Sequence, residues 1–272
     1  GLNRLDVTAG RRPDRIAADT IASLRRLWPA TWGDRMEQML RQALIALAER
    51  NATQPPDEQF TLLHVEPLLQ NPHFRAAVLA RLGPPVSNHE WWAGYYDRLS
   101  PRLREEMINP VLTKLATLAT LAVARHIIGQ PRTTLDPGAA VMAGRIVVVN
   151  LARGVIGGDL AALLGALLVG AVDLAIERQA ALPERERRAV LVAIDELQAL
   201  PAVDYARLVG ELRKYGGGFL LATQSLVGLD RLDPTLRPLL LGNCEALLSF
   251  RVAAEEAALL TAEFDELVGV TD

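Results

Sequence analysis

The stretch VLVAIDEL, Val190 to Leu197, decides the fold of this chain. An unbroken apolar run of this length is typical of a strand buried on both faces, as in a parallel sheet. The run ends in two adjacent carboxylates, Asp195 and Glu196. Because open α/β sheets bind their ligands at the carboxyl ends of the strands, the acidic pair lies where a ligand is expected.

Three further runs of similar composition predict a sheet around this strand: RIVVVN at 145–150, GFLLAT at 218–223 and EALLSF at 245–250. Helical periodicity lies between or after these runs, at residues 158–180, 203–214 and 254–264. Strands that alternate with helices predict a mostly parallel, doubly wound sheet. The second part of the chain, residues 139–272, is therefore predicted to be α/β.

Residues 1–138 have a different pattern, with apolar residues three and four positions apart and no convincing strand. This spacing predicts an all-α domain, whose longest helix runs from Arg102 to Ile128. The later apolar run from Leu160 to Ile176 contains Asp173 and falls short of the roughly 20 residues of a membrane span. It is predicted to be a buried core helix, and no membrane segment or signal peptide is expected in the chain.

Composition limits the kinds of site that the chain can carry. A single cysteine, Cys244, excludes an internal disulfide, and the histidines have no metal-ligand spacing. A reduced, cytoplasmic protein is expected. The net charge of −3 gives no broad basic surface, so any contact with DNA must be local.

The aromatic cluster Trp91, Trp92, Tyr95 and Tyr96 has two interpretations. Aromatic rings can stack on the bases of single-stranded DNA. At helical spacing and without interleaved lysine or arginine, however, such a cluster is more typical of a core or of a contact between domains. The core interpretation is the one predicted.

The acidic pair at the end of the first strand also has two interpretations. In P-loop ATPases an apolar strand that ends in Asp-Glu is the Walker B element. Asp195 then holds a hydrated Mg²⁺ ion, and Glu196 orients and deprotonates the attacking water. Adjacent carboxylates also occur at strand ends as a simple helix cap, so the motif needs support from elsewhere in the chain.

That support comes from LRKYGGGFLLATQSL at residues 212–226. A glycine turn leads into a buried strand, and the polar residues Thr223, Gln224 and Ser225 follow the strand at the edge where Asp195 is expected. A glutamine at this place can hydrogen-bond the γ-phosphate and the attacking water of a nucleotide triphosphate. The alternative is a polar cap on the next turn.

The order of these segments resembles the TraG/TraD-type coupling proteins of conjugation and type IV secretion, which are related to the HerA and FtsK translocases. A helical insertion is followed by GRIVVVNLARGVIGGDLAALLGALLV, VLVAIDELQAL, LRKYGGGFLLATQSLVGL and SFRVAAEEAALLTAEF. The resemblance covers residues 100–265 and, more loosely, the first hundred. The combination of DE, RKYG and ATQS is specific to this group.

The resemblance implies a RecA-like P-loop core that forms a hexameric ring, with ATP and Mg²⁺ bound between subunits. It implies that Asp195, Thr223 and Ser225 bind the nucleotide and its metal, and that Glu196 and Gln224 act on the attacking water. Arg213, just before the glycine turn, becomes a candidate arginine finger that reaches the nucleotide of a neighbouring subunit. Its alternative role is that of a solvated cation at a helix C-terminus.

The chain departs from the family at one motif. It contains no G-x-x-x-x-G-K-[ST], and its two lysines, Lys114 and Lys214, follow no such glycines. Without this loop the chain has no backbone cradle for the β- and γ-phosphates. The simplest expectation is that the chain is truncated before or at this Walker A motif and is inactive by itself.

The sequence thus predicts part of an ATP-driven motor that moves DNA without sequence specificity, in conjugation or type IV secretion. The whole protein is expected at the cytoplasmic face of the inner membrane, where it meets relaxosome or secretion-channel proteins. One alternative is a HerA-like translocase of DNA repair or segregation. Another is a catalytically silent binding module that recognises a relaxase or an adaptor protein.

Overall fold

The computed structural model describes residues 1–8, 10–82 and 89–264. The chain divides into two compact units. The first unit comprises Gly1–Asp136 and Val148–Leu168, and the second comprises Pro137–Val147 and the chain from Val169 onward. The sequence placed the boundary between residues 138 and 139 and assigned residues 148–168 to the α/β part, whereas here they pack with the helical unit.

The first unit is helical. Its helices, numbered along the chain, are α1 (Pro13–Leu27), α2 (Asp34–Asn51), α3 (Val65–Gln70), α4 (Pro72–Leu79), α5 (His89–Gly94), α6 (Pro101–Ala119) and α7 (Ala122–Ile128). After α8 (Pro137–Met142), which belongs to the second unit, come α9 (Arg153–Ile156) and α10 (Gly158–Glu177). The all-α character predicted for this part is therefore present in the described residues.

Helix α2 lies at the centre of the first unit. Its buried stripe includes Met39, Ala43, Leu44 and Leu47, which follow each other at helical spacing and pack against α1 and α6. Burial of such a stripe contributes about 25 cal/mol for each Å² of apolar surface removed from water. Packing of this face, rather than helix propensity, therefore holds the unit together.

The aromatic cluster is part of the same core. Trp92 and Tyr96 are fully buried, and the Tyr96 hydroxyl donates a hydrogen bond of 2.6 Å to the carbonyl of Leu69. The Arg75 guanidinium lies 4.9 Å from the centroid of the Tyr96 ring. The core interpretation is confirmed for Trp92 and Tyr96, whose rings are enclosed and cannot stack on bases, while Trp91 is half-buried and Tyr95 is 40% exposed.

The prediction of one long helix from Arg102 to Ile128 is wrong. Helix α6 ends at Ala119, Leu121 adopts an extended backbone, and α7 leaves at 101° to α6. Both Leu118 and Ile128 are buried in the core of the first unit. The bend between α6 and α7 lets the apolar faces of both helices pack on the same core. A straight helix of this length would extend beyond that core.

Helix α10 is the strongest apolar helix of the chain. Together with the short helical turn that follows it, α10 forms a helix, Gly158–Ala181, that is long and apolar enough to cross a membrane, among the described residues. Of its most apolar stretch, 56% is buried inside the protein. The bent pair α6 and α7 could cross a membrane only if both helices count as one span. The residues from Leu160 to Leu164 are nearly inaccessible, which agrees with the core helix expected from the sequence.

The second unit contains a two-stranded parallel sheet, β1 (Val190–Ile194) and β2 (Gly217–Leu221). Val190 pairs with Gly217 and Ile194 with Leu221. The other helices of this unit are α11 (Tyr205–Glu211), α12 (Leu226–Leu232), α13 (Leu236–Asn243) and α14 (Ala254–Phe264). A parallel α/β arrangement is thus present, while the larger sheet of a RecA-like core stays a prediction.

Two of the four predicted strands, 145–150 and 245–250, are not strands in the part of the chain that the structure describes. Both are irregular segments that form no ladder with β1 or β2. Ile146 and Val148 are 93% and 89% exposed, and Leu248 and Phe250 are 80% and 83% exposed. An apolar, β-branched composition favours an extended backbone, but a strand also requires a neighbour that accepts its hydrogen bonds.

The entry to both strands is fixed by one buried side chain and one glycine. The Gln179 amide donates to the carbonyls of Arg188 and Tyr215, both at 3.0 Å, and accepts from the Arg188 N–H at 2.8 Å. Gly216 has a φ of 92°, and a Cβ there would lie 2.8 Å from the Arg188 carbonyl oxygen. Only glycine fits this position without strain, so the start of β2 is tied to the start of β1.

We expect Asn51→Ala to destabilise the first unit by about 2–4 kcal/mol, because it leaves the Leu5 carbonyl and the Phe60 N–H without their side-chain partner, whereas the Phe60 carbonyl keeps a hydrogen bond from Asn3. Asn51 is 1% exposed; its amide donates to the carbonyls of Leu5 and Phe60 and accepts from the Phe60 N–H. The measurement is urea denaturation followed by tryptophan fluorescence. All four tryptophans lie in the first unit, so this signal reports that unit alone.

The matched control is Asn243→Ala, which removes an exposed amide bonded only locally to the Leu239 carbonyl. It should leave the fluorescence transition unchanged. Equal midpoints for Asn51→Ala and the unsubstituted chain would show that the Asn51 hydrogen bonds add nothing to stability.

A second expectation concerns Glu37. Burial alone would raise its pKa, but hydrogen bonds from the Trp32 indole, Arg25 and Arg41 lower the pKa of Glu37 to about 2. A carboxyl whose pKa is depressed on folding stabilises the protein above its unfolded-state pKa of 4.5 and loses that effect as pH falls toward 2.

We therefore expect Glu37→Gln to cost about 1–2 kcal/mol at pH 7 and to flatten the decline in stability between pH 5 and 3, after allowance for the partly exposed arginines. Urea midpoints at pH 7, 5 and 3 test this. The control is Glu106→Gln, which changes an exposed carboxylate on α6. If the urea midpoints of both variants change with pH as steeply as those of the unsubstituted chain, protonation of Glu37 is not coupled to unfolding.

Candidate functional site

The exits of the two strands are joined by backbone hydrogen bonds. The Ala222 N–H donates to the Ile194 carbonyl at 2.9 Å, and the Leu197 N–H donates back to the Ala222 carbonyl at 3.0 Å. The pairing of β1 and β2 is thus extended past the last residue of each strand. The polar residues that follow the strands are consequently held at one edge of the sheet.

Glu196 stands at this edge in an unusual backbone conformation. Its φ is 52°, in the left-handed region that a non-glycine residue occupies at a cost of order 1 kcal/mol or more. Its N–H donates to Oδ1 of Asp195 at 2.9 Å, and both carboxylates are exposed to solvent. Such strain is typical of positions that aim a side chain at a ligand.

Gln224 meets Glu196 directly. Its Nε2 donates to Oε1 of Glu196 over 2.6 Å, although 28 residues separate the two along the chain. The sequence predicted that the ends of these strands face one another, and the structure confirms that geometry. At 2.6 Å the amide and the carboxylate contact each other directly, and the second N–H of the amide and the second oxygen of the carboxylate are the groups that can meet a phosphate oxygen or a water molecule.

Thr223 and Ser225 flank Gln224, and both hydroxyls have structural partners. The Thr223 hydroxyl donates to Oε1 of Gln198 at 2.9 Å. The Ser225 hydroxyl oxygen accepts from the Gly228 N–H at 2.9 Å, which makes Ser225 the N-cap of α12. The polar-cap alternative therefore holds for Ser225, and the nucleotide contacts predicted for both residues stay a prediction.

Arg213 is not brought to this edge. It precedes β2, at the entry to the sheet, whereas Glu196 follows the exit of β1. The length of a five-residue strand separates the two edges by roughly 15 Å at about 3.3 Å per residue. Arg213 forms an exposed ion pair with Glu245, so within one copy of the chain it is remote from the acidic pair. A finger that acts on a neighbouring subunit stays a prediction.

Two residues of the site, Gln198 and Glu256, were not predicted from the sequence. Gln198 joins the segment after β1 to Thr223, and Glu256 of α14 accepts a hydrogen bond of 2.8 Å from the Ser225 hydroxyl. Glu256 has an equally acidic neighbour, Glu255, on the same helix. The pattern contains no signal that separates them, because only the packing of α14 decides which one is buried.

The donor groups at this edge limit the metal that it can hold. Among the described residues no group of three or more His, Cys, Asp or Glu side chains could ligate a metal ion. A lone exposed carboxylate, Asp195, fits a hydrated Mg²⁺ ion that keeps most of its water ligands. The residues thus fit one face of a Mg²⁺-nucleotide, while the chain supplies no phosphate loop for the other.

Comparison with known proteins identifies the part of the chain that carries this edge. Residues 157–268 match the family model of the type IV secretion-system coupling protein DNA-binding domain. This range includes β1, β2 and α11 to α14. No curated protein and no solved structure matches the chain. The match over residues 157–268 supports the resemblance to TraG/TraD-type coupling proteins.

Proposed function

We propose that this chain is part of an ATP-driven motor that moves DNA in conjugation or type IV secretion. One observation carries the proposal: the hydrogen bond from Gln224 to Glu196 at the exits of adjacent parallel strands, inside the segment that matches a coupling protein. In open α/β sheets this edge is the usual ligand site. An acidic side chain and an amide at this edge supply the types of group, a general base and a water-orienting residue, that act on the nucleophile in phosphoryl transfer.

The roles of the individual side chains follow from their placement. Glu196, exposed and aimed outward by its left-handed backbone, accepts the proton of the attacking water at a carboxylate oxygen. Gln224 holds that carboxylate in place through its Nε2–H and is exposed to solvent. Asp195 holds hydrated Mg²⁺. When bound, Mg²⁺-ATP supplies the phosphoryl group and neutralises its charge.

The remaining parts of the proposal concern the assembly. A RecA-like core that forms a hexameric ring would place the Arg213 of one copy near the nucleotide edge of the next, which agrees with its exposure at the opposite edge of the sheet. DNA contact is local, since the net charge is −3. Relaxosome or secretion-channel proteins are the further partners, at the cytoplasmic face of the inner membrane.

A silent binding module is the second candidate function. It becomes the first candidate if the complete open reading frame, like these 272 residues, contains no G-x-x-x-x-G-K-[ST]. A chain of this kind would recognise DNA or a relaxase without turnover. A HerA-like repair translocase is less well supported, because the matching family is the one of secretion.

The motor proposal is tested with Glu196→Gln in the polypeptide that the gene encodes. We expect the kcat for DNA-stimulated ATP hydrolysis to fall about 100-fold or more, because a general base commonly contributes that much, with DNA affinity unchanged. The matched control is Glu255→Gln, an exposed carboxylate on α14 that should keep full turnover. Unchanged turnover in Glu196→Gln would remove the basis of the proposal and leave the binding module.

Residues 1–272 alone should show no measurable ATP turnover, because positioning of the phosphates dominates catalysis of phosphoryl transfer. The measurement is phosphate release with and without DNA, at a protein concentration high enough for ring assembly. Robust release that Glu196→Gln abolishes would show that the chain needs no phosphate loop. DNA binding without turnover is the expected result.

A further inference from the structure

Glu256 is a buried carboxylate that joins two distant helices of the second unit. It lies on α14, is 8% exposed, and its Oε1 reaches the first turn of α12. There it accepts hydrogen bonds from the Ser225 hydroxyl at 2.8 Å, the Leu226 N–H at 2.8 Å and the Val227 N–H at 3.4 Å. Thirty-one residues separate Ser225 from Glu256, so this is a tertiary contact rather than a local cap.

The donors that surround Glu256 keep it ionised. The Ser225 hydroxyl, followed by the two backbone N–H groups, lowers the pKa of Glu256 below its ordinary value. Within the described part of the chain, these neutral donors, and no ion pair with a cation, stabilise the charge. Charge-assisted hydrogen bonds of this kind are about twice as strong as neutral ones.

The residue that Glu256 holds is the immediate neighbour of Gln224. Gln224 stands between two anchored residues, because Thr223 is tied to Gln198 on one side and Ser225 to Glu256 on the other. The Ser225 N–H also donates to the Thr223 hydroxyl at 3.2 Å, which closes the turn. The Gln224 side chain itself is exposed, so the backbone of this turn sets the direction in which it points.

We propose that Glu256 is a positioning residue for Gln224: by holding Ser225 and the first turn of α12, it aims the Gln224 amide at Glu196. The effect of Glu256 on the position of Gln224 does not depend on the proposed motor function. Its effect on ATP turnover rests on that function. A simple cap for α12 is the competing role. Loss of a simple cap would lower stability without moving the Gln224 side chain.

The test follows the side-chain amide of Gln224 in the 272-residue chain labelled with ¹⁵N-glutamine. Gln224→Glu identifies the resonance, and Glu196→Ala gives its position without the hydrogen bond. In Glu256→Ala we expect the resonance to move at least half of the way to that reference. In Glu255→Ala, the matched control, it should stay where it is. A folded Glu256→Ala chain whose Gln224 resonance is unmoved overturns the proposal.

A second variant covers the case in which Glu256→Ala does not fold. Ser225→Ala removes one of the three hydrogen bonds to Glu256 together with the cap on the Gly228 N–H, and leaves both backbone donors to Glu256 in place. The Gln224 resonance should then shift in the same direction as in the Glu196→Ala reference. Glu256→Gln retains an acceptor oxygen and should restore a resonance close to that of the unsubstituted chain. No shift in Ser225→Ala counts against the proposal.

ATP turnover by the polypeptide that the gene encodes distinguishes a failure of the proposed motor function from a failure of the positioning role of Glu256. Glu256→Ala should lower the kcat for ATP several-fold with the KM for ATP unchanged, because a misdirected Gln224 affects the chemical step and not the capture of nucleotide. If the unsubstituted polypeptide hydrolyses no ATP, the motor proposal fails while the resonance test of Glu256 still decides the positioning. A changed KM with an unchanged kcat contradicts the role in positioning.

Discussion

The parallel pairing of β1 with β2 is the constraint on which the second unit depends. Ile194 lies opposite Leu221, and the hydrogen bonds of this pair continue through Ala222 and Leu197. Since the register is fixed, Glu196, the second residue after β1, and Gln224, the third residue after β2, lie next to each other. A slip by one residue would turn each side chain to the other face and separate the acidic pair from the glutamine.

Amide side chains reinforce this pairing at both ends of the sheet. Gln179 bridges the segments that enter the strands, and Gln198 bridges the segments that leave them. Each is a neutral group with both donors and acceptors, which lets it connect two segments of the chain without the desolvation cost of a buried charge. The exits are further held by Glu256, so the most strained residue of the site, Glu196, lies in its best-supported part.

The sequence predicted the features that a linear pattern can carry. An apolar run with a polar end places a residue at a strand exit, and this was enough to predict that Glu196 and Gln224 meet. It also predicted strands at 145–150 and 245–250, where composition favours extension but no partner strand is paired in the described structure. Composition describes one segment at a time, whereas pairing is a property of two.

Other features depended on packing that no local pattern encodes. Leu121 bends the chain between α6 and α7 although it is not a helix breaker, and Pro110 lies inside α6 without ending it. Glu256 and Glu255 are identical in sequence terms, and only the tertiary contact distinguishes them. The roles assigned to Arg213, Thr223 and Ser225 came from a family resemblance, and their contacts in this structure are structural ones.

The second unit has several large apolar side chains that are exposed to water, and they affect how the protein can be studied in solution. Leu191 and Leu220 project from the two strands, and Ile146, Leu248 and Phe250 of the same unit also have most of their surface in water. Environment-sensitive dyes that brighten on apolar surfaces should therefore fluoresce with the native protein before any heating. A melting curve read by such a dye would begin from a high baseline, and intrinsic fluorescence or circular dichroism is the sounder probe of its unfolding.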